Sequence, residues 1–70
     1  MSNWAYYKFD SMPCRIKMQN GKAIKAEIYE VGVGFTQASP LLISDEGRPL
    51  NKAEFDALLM LRIQQNKADA

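Results

Sequence analysis

Residues 14–31 read CRIKMQNGKAIKAEIYEV, and the way the two halves of this stretch pair decides the fold. Cys14, Ile16 and Met18 alternate with Arg15 and Lys17, the period-two pattern of a half-buried strand with a basic outer face. Asn20-Gly21 is the strongest short hairpin signal, because both residues accept the positive φ of a tight turn. A second strand then runs from Lys22 to Val31. Directly paired residues share a face of a sheet, so the register can be argued from the apolar sets. A two-residue loop sets Ile16 opposite Lys25 and Lys17 opposite Ile24, apolar against basic on both faces. A three-residue loop, Gln19-Asn20-Gly21 with Gly21 left-handed in a bulge, pairs Ile16 with Ile24 and Cys14 with Ala26. The apolar sets then coincide, and this register is preferred, although it sets Arg15 opposite Lys25. Pairing Ile16 with Ala26 would instead place Arg15 opposite Glu27, and that register stays open.

Upstream, Trp4 to Phe9 reads as a first strand with Ala5, Tyr7 and Phe9 on one face and Trp4 and Tyr6 on the other, joined to the hairpin by a turn over residues 10–13. Downstream, Gly32-Val33-Gly34 bends or ends the long strand, and residues 35–38 resume pairing. Ser39-Pro40 reads as a break, Leu41 to Ile43 as a short strand, and Ser44-Asp45-Glu46-Gly47 as a turn. After Arg48-Pro49, the residues from Leu50 onward spell out a helix start. Asn51 caps, Glu54 reaches back to the cap amide, and Leu50 staples onto Phe55. The helix is expected to continue to about Asn66, with the tail from Lys67 to Ala70 frayed.

Wound at about 3.6 residues per turn, Phe55, Leu58, Leu59 and Ile63 share the side that suits a sheet. Arg62 falls there too, so its stem is expected to lie along the core while its head escapes past the sheet's edge. Ala57, Met60 and Leu61 lie outside that stripe. Two accounts fit them: the 35–43 segment or part of the sheet wraps over them, or they form a surface for a second copy or another protein.

Seventy residues make one domain, residues 1–70, with little apolar surface to spare for stability. With Cys14 alone and no histidine, neither an internal disulfide nor a His/Cys metal site reinforces it, which leaves self-association. Cys14 itself reads as a small buried hydrophobe of a reduced compartment, with a reactive thiol as the competing account. The 47% hydrophobic and 24% charged content is an ordinary globular mix. No apolar run reaches about twenty residues, and the first residues carry no apolar stretch of signal-peptide type, so the expectation is a cytoplasmic protein without membrane contact.

Net charge is +1, and residues 1–44 hold five basic and three acidic groups against four and five in residues 45–70, a mild split. Arg15, Lys17 and Lys25 lie on the hairpin's polar side, with Lys22 near its turn and Tyr7 and Tyr29 as candidate neighbours. Basic groups interleaved with aromatics can hold phosphates and stack bases. The simpler account is a solvated face whose lysines deter edge-to-edge pairing and whose field Glu27 and Glu30 dilute. Gly32-Val33-Gly34 lacks the lysine, the hydroxyl and the following helix of a phosphate loop. Asp45-Glu46 lacks the spaced ligands of a calcium loop. Without histidine, and with no partner for Cys14 readable from spacing, no catalytic residue, cofactor or metal is expected.

The expected fold is α+β, an antiparallel meander of three or four strands packed by one C-terminal helix. Its expected core is Ile16, Met18, Ile24, Ile28, Phe55, Leu58, Leu59 and Ile63, with Cys14 and Ala26 in smaller gaps. The expected function is that of a small accessory or regulatory protein acting through protein contacts as a homodimer, not an enzyme. The alternative is a nucleic-acid-binding module using the basic face of the 14–31 hairpin.

Overall fold

Two tight turns set the register of the sheet. Asp10 and Ser11 (φ 51° and 63°) and then Asn20 and Gly21 (φ 52° and 76°) are left-handed pairs, the backbone of two-residue hairpin loops whose twist matches that of their strands. The computed structural model describes the backbone of residues 2–69 and the side chains of residues 3–65. In it β1 (Ser2–Phe9), β2 (Met12–Gln19), β3 (Lys22–Glu30) and β4 (Gly34–Ala38) form an antiparallel meander. A short helix α1 (Pro40–Glu46) then crosses to the opposite edge, where β5 (Arg48–Leu50) pairs antiparallel with β1. The sheet order is β4-β3-β2-β1-β5, and the long helix α2 (Lys52–Asp69) follows. The α+β class stands as expected. Among the described residues there are five strands rather than three or four, and two helices rather than one.

The hairpin of residues 14–31 combines two of the competing registers. Near its turn Gln19 faces Lys22 and Met18 faces Ala23, as a two-residue loop requires. The register then shifts by one residue, and beyond it Lys17 faces Lys25, Ile16 faces Ala26, Arg15 faces Glu27 and Cys14 faces Ile28. Ile24 is the residue left over in this bulge, and it is exposed instead of joining the core. The preferred register, Ile16 with Ile24, is therefore wrong. It assumed that the whole stretch keeps one register, whereas a bulge lets a tight turn and coincident apolar faces coexist.

Alternate residues of the sheet make two unlike faces. One presents Ala5, Tyr7 and Phe9 of β1, Met12, Cys14, Ile16 and Met18 of β2, and Ala26 and Ile28 of β3. Here Cys14, Ile16, Ala26 and Ile28 are buried together with a single residue of α1, Ile43. Full burial of an isoleucine contributes about 1.5–3 kcal/mol, which is most of what α1 offers the core. The short strand expected at residues 41–43 is this helix. Ser39 is its N-cap and Pro40 its first helical residue, where the missing amide hydrogen is not needed. Gly47 closes it, donating its N–H to the Ile43 carbonyl at 2.8 Å. A Cβ at this position would stand 2.4 Å from that carbonyl oxygen, so glycine is required for the close approach.

The long helix packs on the other face, which carries Trp4, Tyr6, Arg15, Lys17, Lys25, Glu27, Tyr29 and Phe35. Phe55, the fully seated residue of α2, lies 4.5 Å from the Tyr6 ring and stacks at 6.5 Å on Phe35. Phe35 in turn meets Tyr29 edge-on at 5.3 Å. The expected capping box is present in both directions. Asn51 Oδ1 accepts from the Glu54 amide at 2.7 Å, and Glu54 Oε1 accepts from the Asn51 amide at 2.9 Å. Leu50 pairs with Tyr6, which turns it toward the face that seats Phe55. Leu58, Leu59 and Ile63 are half-buried, as is Met18, and the single core expected to join Ile16 with Phe55 is split between the two faces, Ile43 closing one while Tyr29 is buried with Phe35 on the other. The helix extends to Asp69, past the expected end at about Asn66, and Ala70 lies outside the described residues.

Candidate functional site

The course of α2 decides which surfaces remain open. From the Asn51 cap beside the Tyr6 row to Arg62, the helix rises about 16 Å at 1.5 Å per residue. The strand from Tyr6 to Ser11 covers about the same distance at 3.3 Å per residue. The two ends meet: Arg62 Nε donates to the Ser11 carbonyl at 3.0 Å while Nη1 donates to Gln65 Oε1 at 2.8 Å. The charged head thus leaves the core at the sheet's end, as its place in the helix implied. α2 therefore covers the half of its face nearest the Asp10-Ser11 turn and leaves the half nearest the Asn20-Gly21 turn uncovered.

That uncovered half holds the basic residues. Trp4, Lys17 and Lys25 form one row across β1, β2 and β3, directly paired strand to strand. Lys22 pairs with Gln19 in the next row, on the same face. The ammonium nitrogens of Lys17 and Lys25 stand 5.9 and 5.8 Å from the centre of the Trp4 ring. Arg15 marks the boundary with the helix, its guanidinium 4.5 Å from Trp4 and 4.1 Å from Phe35, with Nε bonded to Glu27 Oε1 at 2.8 Å. All four basic candidates therefore share one face. The aromatic beside them is Trp4 rather than the two tyrosines, since Tyr7 lies on the other face and Tyr29 is buried against Phe35. The signal was available: a two-residue loop at Asp10-Ser11 pairs Phe9 with Met12 and carries Trp4 opposite Lys17.

Two apolar surfaces are also open. On α2, Ala57, Met60 and Leu61 are exposed on the side away from the sheet, Met60 at 61% and Leu61 at 56%. Neither the sheet nor the 35–43 segment wraps over them. On the opposite face of the sheet, α1 is too short to cover the strands. A groove of about 480 Å³ remains between them, lined by Tyr7, Ile16, Met18, Ala23, Pro40 and Leu41 among others. Leu41 and Leu42 at its side are exposed.

Cys14 lies at the centre of the apolar face and is wholly buried. Burial pushes its thiol up to about 11, partly offset by a backbone hydrogen bond at Phe9. The competing reading of a reactive thiol has no support in this geometry, because nucleophilic cysteines need access and a lowered pKa. Among the described residues no three His, Cys, Asp or Glu side chains converge as metal ligands, and no helix is long and apolar enough to cross a membrane. No family model, curated protein or solved structure matches the chain.

Proposed function

We propose that this chain is a small accessory or regulatory protein that works through protein contacts and pairs with a second copy of itself through the outer side of α2. The observation behind this reading is the exposure of Ala57, Met60 and Leu61 together on the helix side that faces away from the sheet. Large apolar side chains grouped on one helix face favour a covering partner. Ala57 lets a second helix approach closely, while the flexible Met60 side chain adapts to a partner's contour. A small chain also gains from such pairing, since among the described residues only seven hydrophobic ones are buried. Sedimentation equilibrium tests the reading. The native chain is expected to dimerise at micromolar concentration, and Met60→Glu with Leu61→Glu is expected to give a folded monomer. A native chain that stays monomeric at high micromolar concentration overturns it.

A further inference from the structure

We infer that the uncovered end of the α2 face, built from Trp4, Lys17, Lys22 and Lys25, is a binding platform for single-stranded nucleic acid. This goes beyond self-association and uses a different surface.

The bulge at Ile24 brings Lys17 and Lys25 together. Under the uninterrupted register of the Asn20-Gly21 turn, Lys17 would face Ile24 and Lys25 would face Ile16. The extra residue turns Lys25 onto the face of Lys17 and sets the two directly opposite each other. Like charges in direct cross-strand positions oppose sheet pairing, and a bulge is a device that re-aims a side chain. This arrangement works against stability and gathers cations.

The nearby carboxylates are already engaged. Glu27 is bonded to Arg15, Asp56 pairs with Lys52 at 2.8 Å, and Glu54 accepts from the Asn51 amide. Glu30 sits at the far end of β3, beside the β4 turn. Lys17, Lys22 and Lys25 take part in no ion pair among the described residues. The dilution expected from Glu27 is therefore spent on Arg15, which leaves three positive charges on adjacent strands.

Trp4 supplies the aromatic surface beside these lysines. It is half-buried at the β1 end of the row, with the Lys17 and Lys25 ammonium groups beside its ring and Arg15 held against it by Glu27 and Phe35. An aromatic ring beside lysines on a sheet fits a flexible strand that stacks a base while its phosphates meet the ammonium groups. A duplex keeps its bases stacked inside and offers nothing to the ring. An acidic peptide would use the charges alone. The platform therefore favours single strands.

The test uses fluorescein-labelled oligo-dT and oligo-U, with inorganic polyphosphate and polyglutamate as polyanions that lack bases. Trp4 is the sole tryptophan, so its emission reports on this site alone. Binding is expected at low salt with quenching of that emission, and with log affinity falling against log salt at a slope of about −2 for three phosphates on a single strand. Trp4→Leu is expected to weaken oligonucleotide binding about tenfold or more while leaving polyphosphate binding nearly unchanged. Lys25→Glu supplies a variant whose folding is not in question. It places opposite charges across the Lys17 pair, so it is expected to raise the denaturation midpoint while abolishing binding. A merely solvated face predicts the first change without the second. No oligonucleotide binding at low salt and high micromolar protein overturns the inference. So does polyphosphate or polyglutamate binding that matches the oligonucleotides with no effect of Trp4→Leu, which would mark an acidic-partner surface instead.

Discussion

The two faces of the sheet are closed in opposite ways. The face with the cleaner apolar alternation, Cys14, Ile16, Ala26 and Ile28, receives a seven-residue helix that contributes one buried side chain, Ile43. The mixed face of aromatics and cations receives the eighteen-residue α2, seated chiefly through Phe55 between Tyr6 and Phe35. The lesson is that helix length and strand hydrophobicity need not go together. Small residues such as Cys14 and Ala26 leave a shallow surface that one isoleucine can fill. Rings that stand up from the other face, with the Arg15 stem among them, make a seat that a long helix can use at one end while its outer side stays apolar. Open surface then follows from geometry: a groove beside the short helix, and a basic end beyond the start of the long one.

The largest expected effects come from removing the two closing side chains. Phe55→Ala is expected to cost about 3–5 kcal/mol and Ile43→Ala about 2–5 kcal/mol in chemical denaturation, because each leaves a cavity that neighbouring strands cannot collapse to fill. If Ile43→Ala costs less than about 1 kcal/mol, too little for a buried isoleucine, α1 does not plug the apolar face and the contrast fails.

The ends of the two helices sharpen the same comparison. Gly47→Ala is expected to cost about 1–3 kcal/mol, because the new Cβ must displace the Ile43 carbonyl and with it the plug. Asn51→Ala is expected to cost about 1 kcal/mol, and Glu54→Ala acts through the same box. Ser39→Ala is expected to cost less than Asn51→Ala, since the Ser39 hydroxyl accepts from the Leu42 amide at a long 3.5 Å where Asn51 accepts at 2.7 Å. A lower denaturation midpoint for Ser39→Ala than for Asn51→Ala would show that the short helix depends on its cap more than on its packing.

The smallest effect at neutral pH concerns Cys14. Its thiol is expected to resist iodoacetamide at about pH 8 in the native chain and to react quickly once unfolded. The fold favours the neutral thiol, raising its value from 9.0 to about 11. The contribution to stability is therefore complete below 9 and is lost as pH rises from 9 through about 11, where the unfolded chain has released the proton and the folded chain retains it. Denaturation midpoints of the native chain and Cys14→Ala, compared across that window, isolate this slope from the lysines that titrate nearby. Rapid native labelling would show that the face beneath α1 opens readily.

Local patterns in the sequence determined the first three strands, the parity of the faces of the first two, the place of the turn at Asn20-Gly21 but not its two-residue length, and the start of α2 at Asn51. Each depends on residues within a few positions of one another: alternation within a strand, backbone angles within a turn, a reciprocal cap within one helical turn. The same locality placed Arg15, Lys17 and Lys25 on one side of the hairpin and left Ala57, Met60 and Leu61 outside the buried stripe of α2. Ser39-Pro40 also carried a local signal, a cap followed by a proline at the first helical residue, but its break reading concealed α1. What only the tertiary structure decided is which helix covers which face. Either face offered apolar area, and the choice turned on the depth of rings and small side chains assembled from four strands. The bulge at Ile24 and the pairing of β5 with β1 belong to the same class. Both reconcile constraints from segments far apart in the chain, one between a turn and a core and the other between a crossover helix and a sheet edge. No window of sequence contains both sides of such a balance.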